Sequence, residues 1–484
     1  MHDLSLHAIA WLILLPLAWA SAAFLLGPGR GAGLAVIGLA LQLLLAISLA
    51  VGVVDQGPLA YQVGGWGAPL GIDLLADGLS SVMLLLTQVV ALPLALYAHA
   101  YFSQNPKGVT WFWPLVGYLV AAMNALFLSA DAFNIYVTLE LVGLAAVGLV
   151  AVAGGVGPVT AALRYLLTTL LGSGAYLLGV ALLYGTYGTV SLEVLGPLIA
   201  EQAPLAVAMA GALMLFGMLL KTALFPFHFW LPPAHGGAPA PVSAILSALV
   251  IKASFYLVVR FWLSIFEPLT DYAVAQLLGL FGAGAVLWGS LQALQQTRLK
   301  MLVAYSTVAQ VGYLFLLFPL VTGTPEAAAN SAVQGVIMQA LAHGLAKAAM
   351  FTAAGAMVLS MERDDISRLG GLSSHMPQSL FAFGLAGVTL MGLPPSAGFL
   401  AKWLLIDAAI HSGQWGWIVM LIAGGLLTAA YVFKVLRQAF LQVEQDAHYR
   451  PLPRMLEWVP LVLALASLAL GVRASEIILL TGVR

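Results

Sequence analysis

Apolar runs of about twenty residues recur along the whole chain, and nothing else in the sequence restricts its folding as strongly. A helix rises about 1.5 Å per residue, so about 20 apolar residues cross the hydrocarbon core of a bilayer. Applied along the chain, this measure gives about fourteen spans: 6–26, 32–54, 77–102, 111–129, 131–153, 161–186, 206–232, 239–265, 272–294, 301–319, 330–359, 377–406, 414–440 and 455–473. The runs are continuous rather than alternating, which excludes a strand barrel. Only 8% of the residues are charged, against roughly 25% in a soluble chain, so water is not the main solvent. No hydrophilic stretch is long enough for a soluble domain, and residues 1–484 are read as one all-α polytopic membrane domain. The first run ends in Gly27-Pro28-Gly29-Arg30 and lacks a basic leader, so it is read as a span rather than a signal peptide.

The basic residues test the count independently, because cytoplasmic loops collect Lys and Arg. With the N-terminus outside, Arg30, Lys107, Arg164, Arg298, Lys300, Arg363, Arg368, Lys434, Arg437, Arg450 and Arg454 fall on the cytoplasmic side. Only Arg260, Arg473 and Arg484 fall outside, together with acids such as Asp55, Asp73, Asp77, Glu193, Glu201, Glu267, Asp271 and Glu326. A missed span would scramble that separation. Fourteen spans with both termini outside is therefore expected, in a bacterial inner membrane. The net charge of −1, with no basic patch, gives no reason to expect nucleic acid, and the absence of Cys excludes thiolate chemistry.

Five charges fit no loop: Glu140, Lys221, Lys252, Lys347 and Lys402. Glu140 lies roughly 13 Å into its span and Lys252 near the midplane. A charge at that depth costs at least ~2.5–3.5 kcal/mol. Snorkelling could relieve Lys402, and a structural ion pair could account for Glu140 with Lys221, but the midplane is too far from either surface for Lys252. The functional alternative is a relay: burial loosens a lysine's hold on its proton and a nearby carboxylate tightens it. His343 and Lys347, spaced i,i+4, share a helix face. His228 and His235 flank Pro226–His235, either as relay neighbours or as structural histidines; no spacing favours a metal, and none is expected.

Two spans are interrupted. Phe225-Pro226 through Pro241 follows Lys221 in the seventh, and Gly392-Leu393-Pro394-Pro395-Ser396-Ala397-Gly398 precedes Lys402 in the twelfth. Proline removes a backbone donor, and irregular backbone at membrane depth survives only inside protein or along a wet cavity. Interruptions in corresponding parts of two halves point to an inverted-repeat transporter. Spans 4–8 and 9–13, about 111–265 and 272–440, are expected to be two oppositely oriented five-helix repeats.

At these residues the chain resembles the antiporter-like subunits shared by Mrp-type multisubunit cation/proton antiporters, respiratory complex I and membrane-bound hydrogenases. The matching segments are Asp131 to Glu140, Lys221 to His235 with Ala238 to Ser243, Lys300 to Ser306 with Gln310 to Tyr313, His343 to Lys347, and Gly392 to Lys402. Residues 61–72 are similar to the Mrp D-type subunit, whereas residues 232–241 look more like the complex I and hydrogenase relatives. The chain ends soon after its fourteenth span, without the long lateral helix of the complex I L-type subunit. The resemblance implies that Glu140 and Lys221 form a gating pair. It further implies that Lys252, His343, Lys347 and Lys402 continue a central hydrophilic axis, supported by His228, His235, Asp131, Ser306, Pro226 and Pro394.

The leading expectation is a proton-translocating subunit of an Mrp-type sodium/proton antiporter, closest to the D-type subunit, with other subunits, the lipid bilayer, protons and Na+ as partners. The alternative is a pump module of a redox-driven complex of NADH dehydrogenase or hydrogenase type. A third is a passive membrane anchor, against which the five deep charges argue. No flavin, quinone or iron–sulfur signature is found, so no cofactor is expected, and the chain is read as a transport subunit rather than an enzyme in its own right. A glutamate at position 402 is expected to keep partial activity, since either ionisable group could pass a proton.

Overall fold

The computed structural model describes residues 2–68, 71–441 and 449–482. Thirteen described helices are long and apolar enough to cross a membrane. Spans 1–11 are Ser5–Leu26, Pro28–Gln56, Gly78–Gln104, Val109–Leu128, Ala132–Ala151, Val156–Tyr187, Leu205–Gly237, Ala240–Ile265, Tyr272–Gln295, Leu299–Val321 and Glu326–Met361. Spans 13 and 14 are Trp415–Ala439 and Met455–Val472. The expected twelfth is present as two 15-residue helices, 12a (Pro377–Met391) and 12b (Ala397–His411).

The interruptions follow from the backbone chemistry of their residues. Helix 12a ends at Gly392, whose φ of 83° is in the left-handed region, and Pro394 and Pro395 then supply no N–H to continue the ladder. Span 7 divides in the same way. Helix 7a (Leu205–Thr222) stops at Ala223, with φ 54°, and a single 3-10 turn (Phe227–Trp230) leads into 7b (Leu231–Gly237). The Phe225-Pro226 and Pro394-Pro395 bonds are both cis. Span 8 carries a different irregularity, two π turns at Leu246–Val250 and Phe261–Ile265, which hydropathy does not reveal.

Burial arranges the bundle. The most apolar window of span 8 is 100% buried, those of spans 10 and 11 are 89% buried, and those of spans 1, 13 and 14 only 33%. Spans 8, 10 and 11 therefore form the centre, and they carry Lys252, Ser306, His343 and Lys347. Helices in lipid associate through close packing rather than the hydrophobic effect, so small residues mark the contacts. Gly172 of span 6 meets Gly217 of 7a, where a Cβ on Gly217 would lie 2.2 Å from the Gly172 carbonyl oxygen. Gly282 of span 9 meets Gly312 of span 10 equally closely, at 2.3 Å from the Gly282 oxygen.

The connections sort into two ends, as the charge count requires. At one end, strand β1 (Leu59–Gln62) pairs antiparallel with β2 (Asp73–Ala76), Leu74 bridges Ser129, and Asp131 bridges Ser191. Arg260 pairs with Asp77 at that end, and Gln276 bonds Gln414 at 2.7 Å. At the other, Arg298 bridges Asp365 and pairs with Asp364 at 3.0 Å, Lys434 donates to the Leu294 and Gln296 carbonyls, and Arg450 reaches Gln104. The sequence reading treats 55–76 and 187–205 as loops. The first contains the hairpin and the second a short helix, Leu192–Glu201, that buries Leu192, Leu195 and Ile199.

Candidate proton pathway

Glu140 lies in span 5 and Lys221 at the end of 7a. The Lys221 amine is 3.5 Å from Glu140 Oε1 and donates to Thr169 Oγ1 of span 6 at 2.5 Å. Gly143, one turn beyond Glu140, leaves the room: a Cβ there would lie 2.9 Å from Thr169 Oγ1. The carbonyls freed where 7a stops are partly satisfied by the Trp230 indole, which donates to the Leu220 oxygen at 3.0 Å and stacks on Tyr165 at 4.1 Å. Lys221 is buried, whereas the Glu140 side chain is 17% exposed, so the pair spans the edge of the packed interior. A small cavity, with room for about one water, lies between Lys221 and span 8, lined by Gly143, Thr169, Lys221 and Ser254.

Lys252 sits just after the first π turn. Its amine donates to the Ser247 carbonyl inside that turn at 2.5 Å. Widened turns of this kind loosen the regular carbonyl ladder and are frequent at functional positions. The Ser247 hydroxyl is 2.9 Å from Thr307 Oγ1, and Thr307 donates to the Val303 carbonyl at 3.1 Å. The Lys347 amine reaches that same Val303 carbonyl at 3.1 Å and also donates to Ser306 Oγ. Two lysines on different spans are thus linked by way of Ser247, whose carbonyl takes the Lys252 amine and whose hydroxyl meets Thr307, and the Val303 carbonyl that Thr307 and Lys347 share.

His343 and His235 complete this central group. His343 is fully buried, neither ring nitrogen has a protein partner, and it feels Lys252, Lys347 and His235 electrostatically. His235 bonds the Leu231 carbonyl through Nδ1 at 2.9 Å and leaves Nε2 unpartnered. An unpaired buried polar group costs roughly 1–3 kcal/mol, which passive packing gives no reason to retain.

Lys402, on 12b, turns back across the break. Its amine donates to Leu390 and Met391, the last carbonyls of 12a, at 3.0 and 2.8 Å, and lies 4.6 Å from the Tyr313 ring centre. Gln310 of span 10 also donates to the Leu390 carbonyl, at 3.4 Å, and accepts from Gln339 at 3.0 Å. A polar chain therefore runs from the Lys347 face of spans 10 and 11 to the second break.

The sequence-derived residues fall into three groups: Glu140 with Lys221, Lys252 with His235, His343, Lys347 and Ser306, and Lys402 at the second break. Pro226 and Pro394 lie in the breaks themselves. His228 is buried, with its ring stacked on Phe225 at 5.6 Å, and stands apart from these groups. Asp131 caps span 5, accepting from the Asn134 N–H at 2.6 Å, at the end of the helix that carries Glu140. Among the described residues no group of three or more His, Asp or Glu could hold a metal.

One expectation needs correction. The charge count places Lys300 in a solvent loop, but its side chain is buried and its amine donates to the Ala238 carbonyl, between 7b and span 8. A signal is present in the sequence: Lys300, Val303, Thr307 and Gln310 recur at helical spacing on one face of span 10, and three of the four are polar. Thr169, Ser247, Thr307 and Gln339 escape sequence reasoning because an isolated hydroxyl or amide in a hydrophobic run is indistinguishable from one bonded to its own helix.

Residues 129–428 match the family model described as NADH:quinone oxidoreductase/Mrp antiporter, transmembrane. The chain is 34% identical over 401 residues to the N-type NADH-quinone oxidoreductase subunit of Desulforudis audaxviator, covering 82% of this chain and 78% of that one. It is 30% identical over 435 residues to the D-type Na(+)/H(+) antiporter subunit of Alkalihalophilus pseudofirmus, covering 89% and 86%. A chain in the structure of the Mrp complex from Dietzia sp. DQ12-45-1b superimposes with a TM-score of 0.90 at 26% identity, covering 100% of this chain and 97% of that one.

Proposed function

The chain belongs to the NADH:quinone oxidoreductase/Mrp antiporter transmembrane family, and from that premise we propose that it is the proton-translocating subunit of a multisubunit Mrp-type sodium/proton antiporter. The observation that carries this reading is that lysines at membrane depth sit beside irregular backbone. Lys221 adjoins the first break, Lys252 donates into a π turn, and Lys402 caps the second break. The seats of Lys252 and Lys402 hold an ammonium through carbonyl oxygens, so its proton can leave without stranding a partner charge, whereas at Lys221 the Glu140 carboxylate is the partner. In the proposed path, protons pass between the Glu140–Lys221 pair, the group of Lys252, His235, His343 and Lys347, and Lys402. Pair separation at Glu140–Lys221 serves as the gate.

The whole chain acts as one membrane domain, with residues about 111–265 and 272–440 as oppositely oriented five-span repeats. It lies in a bacterial inner membrane with both termini outside, an orientation supported by the lysines and arginines collected at the opposite end. A second reading, a pump module of a redox-driven complex, is favoured by the higher identity to the NADH-quinone oxidoreductase relative, 34% against 30%. Vesicles containing the assembled complex separate the two. Dye-reported proton movement driven by a sodium gradient supports antiport. Movement only when an electron donor and acceptor are supplied supports the pump. Wild-type movement in an assembled Glu140→Gln or Lys221→Gln complex would rule out the relay in either setting.

A further inference from the structure

Lys300 is a buried cation that the relay above leaves unused. It occupies the first turn of span 10, at the end of the bundle where Arg298 pairs with Asp364 at 3.0 Å. Asp364 holds this turn in place: its Oδ1 accepts the Lys300 backbone N–H at 3.0 Å and its carbonyl accepts that of Leu299 at 3.0 Å. Its carboxylate also acts electrostatically on the Lys300 amine. The Arg298 side chain is 56% exposed and that of Asp364 16%, so this carboxylate stands at the boundary between solvent and interior.

On its inward side Lys300 points into the connection between 7b and span 8. Its amine donates to the Ala238 carbonyl, and the Ser243 hydroxyl reaches that same oxygen at 3.3 Å. Ser243 also donates to the His235 carbonyl at 2.6 Å, and the His235 imidazole, whose Nε2 is unpartnered, feels both Lys252 and Lys347. One turn deeper on span 10, Val303 and Ser306 hold the Lys347 amine. Lys300 therefore stands between a solvent-edge carboxylate and the central histidine–lysine group, with a serine hydroxyl beside it.

We propose that Lys300 is the port through which protons pass between solvent at Asp364 and the central group of His235, His343 and Lys347. The inference rests on the relay reading. In the inward direction the Lys300 ammonium gives one proton, relayed across the Ser243 hydroxyl, to the unpartnered Nε2 of a neutral His235 imidazole, and becomes a neutral amine. The Asp364 carboxylate then takes a proton from solvent, passes it to the Lys300 lone pair and returns to the carboxylate that pairs with Arg298. Outward movement reverses each step. The competing role is a simple cap for the Ala238 carbonyl, which any N–H donor at position 300 would fill.

The test separates donor from acid. Lys300→Gln keeps an N–H donor without a titratable proton, Lys300→Arg keeps donor and charge but holds its proton at all working pH values, and Lys300→His keeps a proton that can leave. In assembled complex in vesicles, proton flux is expected to fall at least about tenfold in the Gln and Arg variants and to remain measurably higher in the His variant. Wild-type flux in assembled Lys300→Gln overturns the port. Should that variant fail to assemble, Asp364→Asn, which keeps the oxygen that accepts the Lys300 N–H, takes its place: reduced flux supports the port and wild-type flux overturns it. Glu140→Gln is measured alongside. If it is inactive while Lys300→Gln runs normally, only the port falls; if it runs normally, the relay falls.

Discussion

The two broken spans place a lysine beside a gap in the helix, yet they hold it in different ways. At the first break Lys221 belongs to the helix that is ending, and its amine turns sideways to a carboxylate and a threonine hydroxyl on neighbouring spans. At the second, Lys402 belongs to the helix that is starting, and its amine turns back onto the last two carbonyls of the helix that ended. The first lysine is held by an opposite charge, the second by backbone dipoles beside an aromatic face. Removing one partner of a buried pair leaves the other uncompensated, whereas removing a cap exposes carbonyl oxygens. The first break should therefore be sensitive to charge and the second to hydrogen-bond donation.

The largest expected effect is at the first break. Lys221→Ala or Glu140→Gln should lower proton flux at least about a hundredfold in assembled complex, read by dye quenching in vesicles. A comparable loss of flux from Thr169→Val, which leaves both charges in place, would contradict a charge-based hold. At the second break Lys402→Ala should lower both flux and the midpoint of thermal unfolding, because the Met391 carbonyl loses its donor at roughly 1–3 kcal/mol while Leu390 keeps only the 3.4 Å bond from Gln310. Lys402→Gln should recover most of the thermal loss and little of the flux. A Gln variant as unstable as the Ala variant would show that charge, not donation, holds this site. The geometry also argues against a partly active Lys402→Glu: a carboxylate would face two carbonyl acceptors, and its protonated form offers only one hydrogen. A smaller effect is expected from Gly392→Ala, which places a Cβ 2.6 Å from Lys402 Cδ at a φ of 83° and should cost about 1–3 kcal/mol in thermal stability. The smallest is Ala223→Gly at the matching position of the first break, where φ is 54°; it should be neutral or stabilising by no more than about 1 kcal/mol.

Span number and the positions of both breaks were legible because length, hydropathy and proline act locally and leave their mark on consecutive residues. Lys221, Lys252, Lys347 and Lys402 were legible because charge is rare in an apolar run. The seats of those charges were not. The Ser247 carbonyl, the Leu390 carbonyl and the Thr169 hydroxyl are supplied by backbone geometry or by spans distant in sequence. The separation of charges by side placed Lys300 with the solvent residues around it. The 56% exposed arginine two positions away masks the one sign that the amine turns inward, the face that Lys300 shares with Thr307 and Gln310.

The widened turn at Leu246–Val250 has a consequence that depends on the number of residues rather than their kind. Each residue advances a regular helix by about 100°, so a turn holding one extra residue sets the azimuth of everything after it. Removing a single apolar residue there would leave hydropathy almost untouched, yet it would swing Lys252 away from the Ser247 carbonyl and toward a different neighbour. Span 8 should therefore accept many exchanges of one aliphatic side chain for another, but no change in the spacing between Ser247 and Lys252.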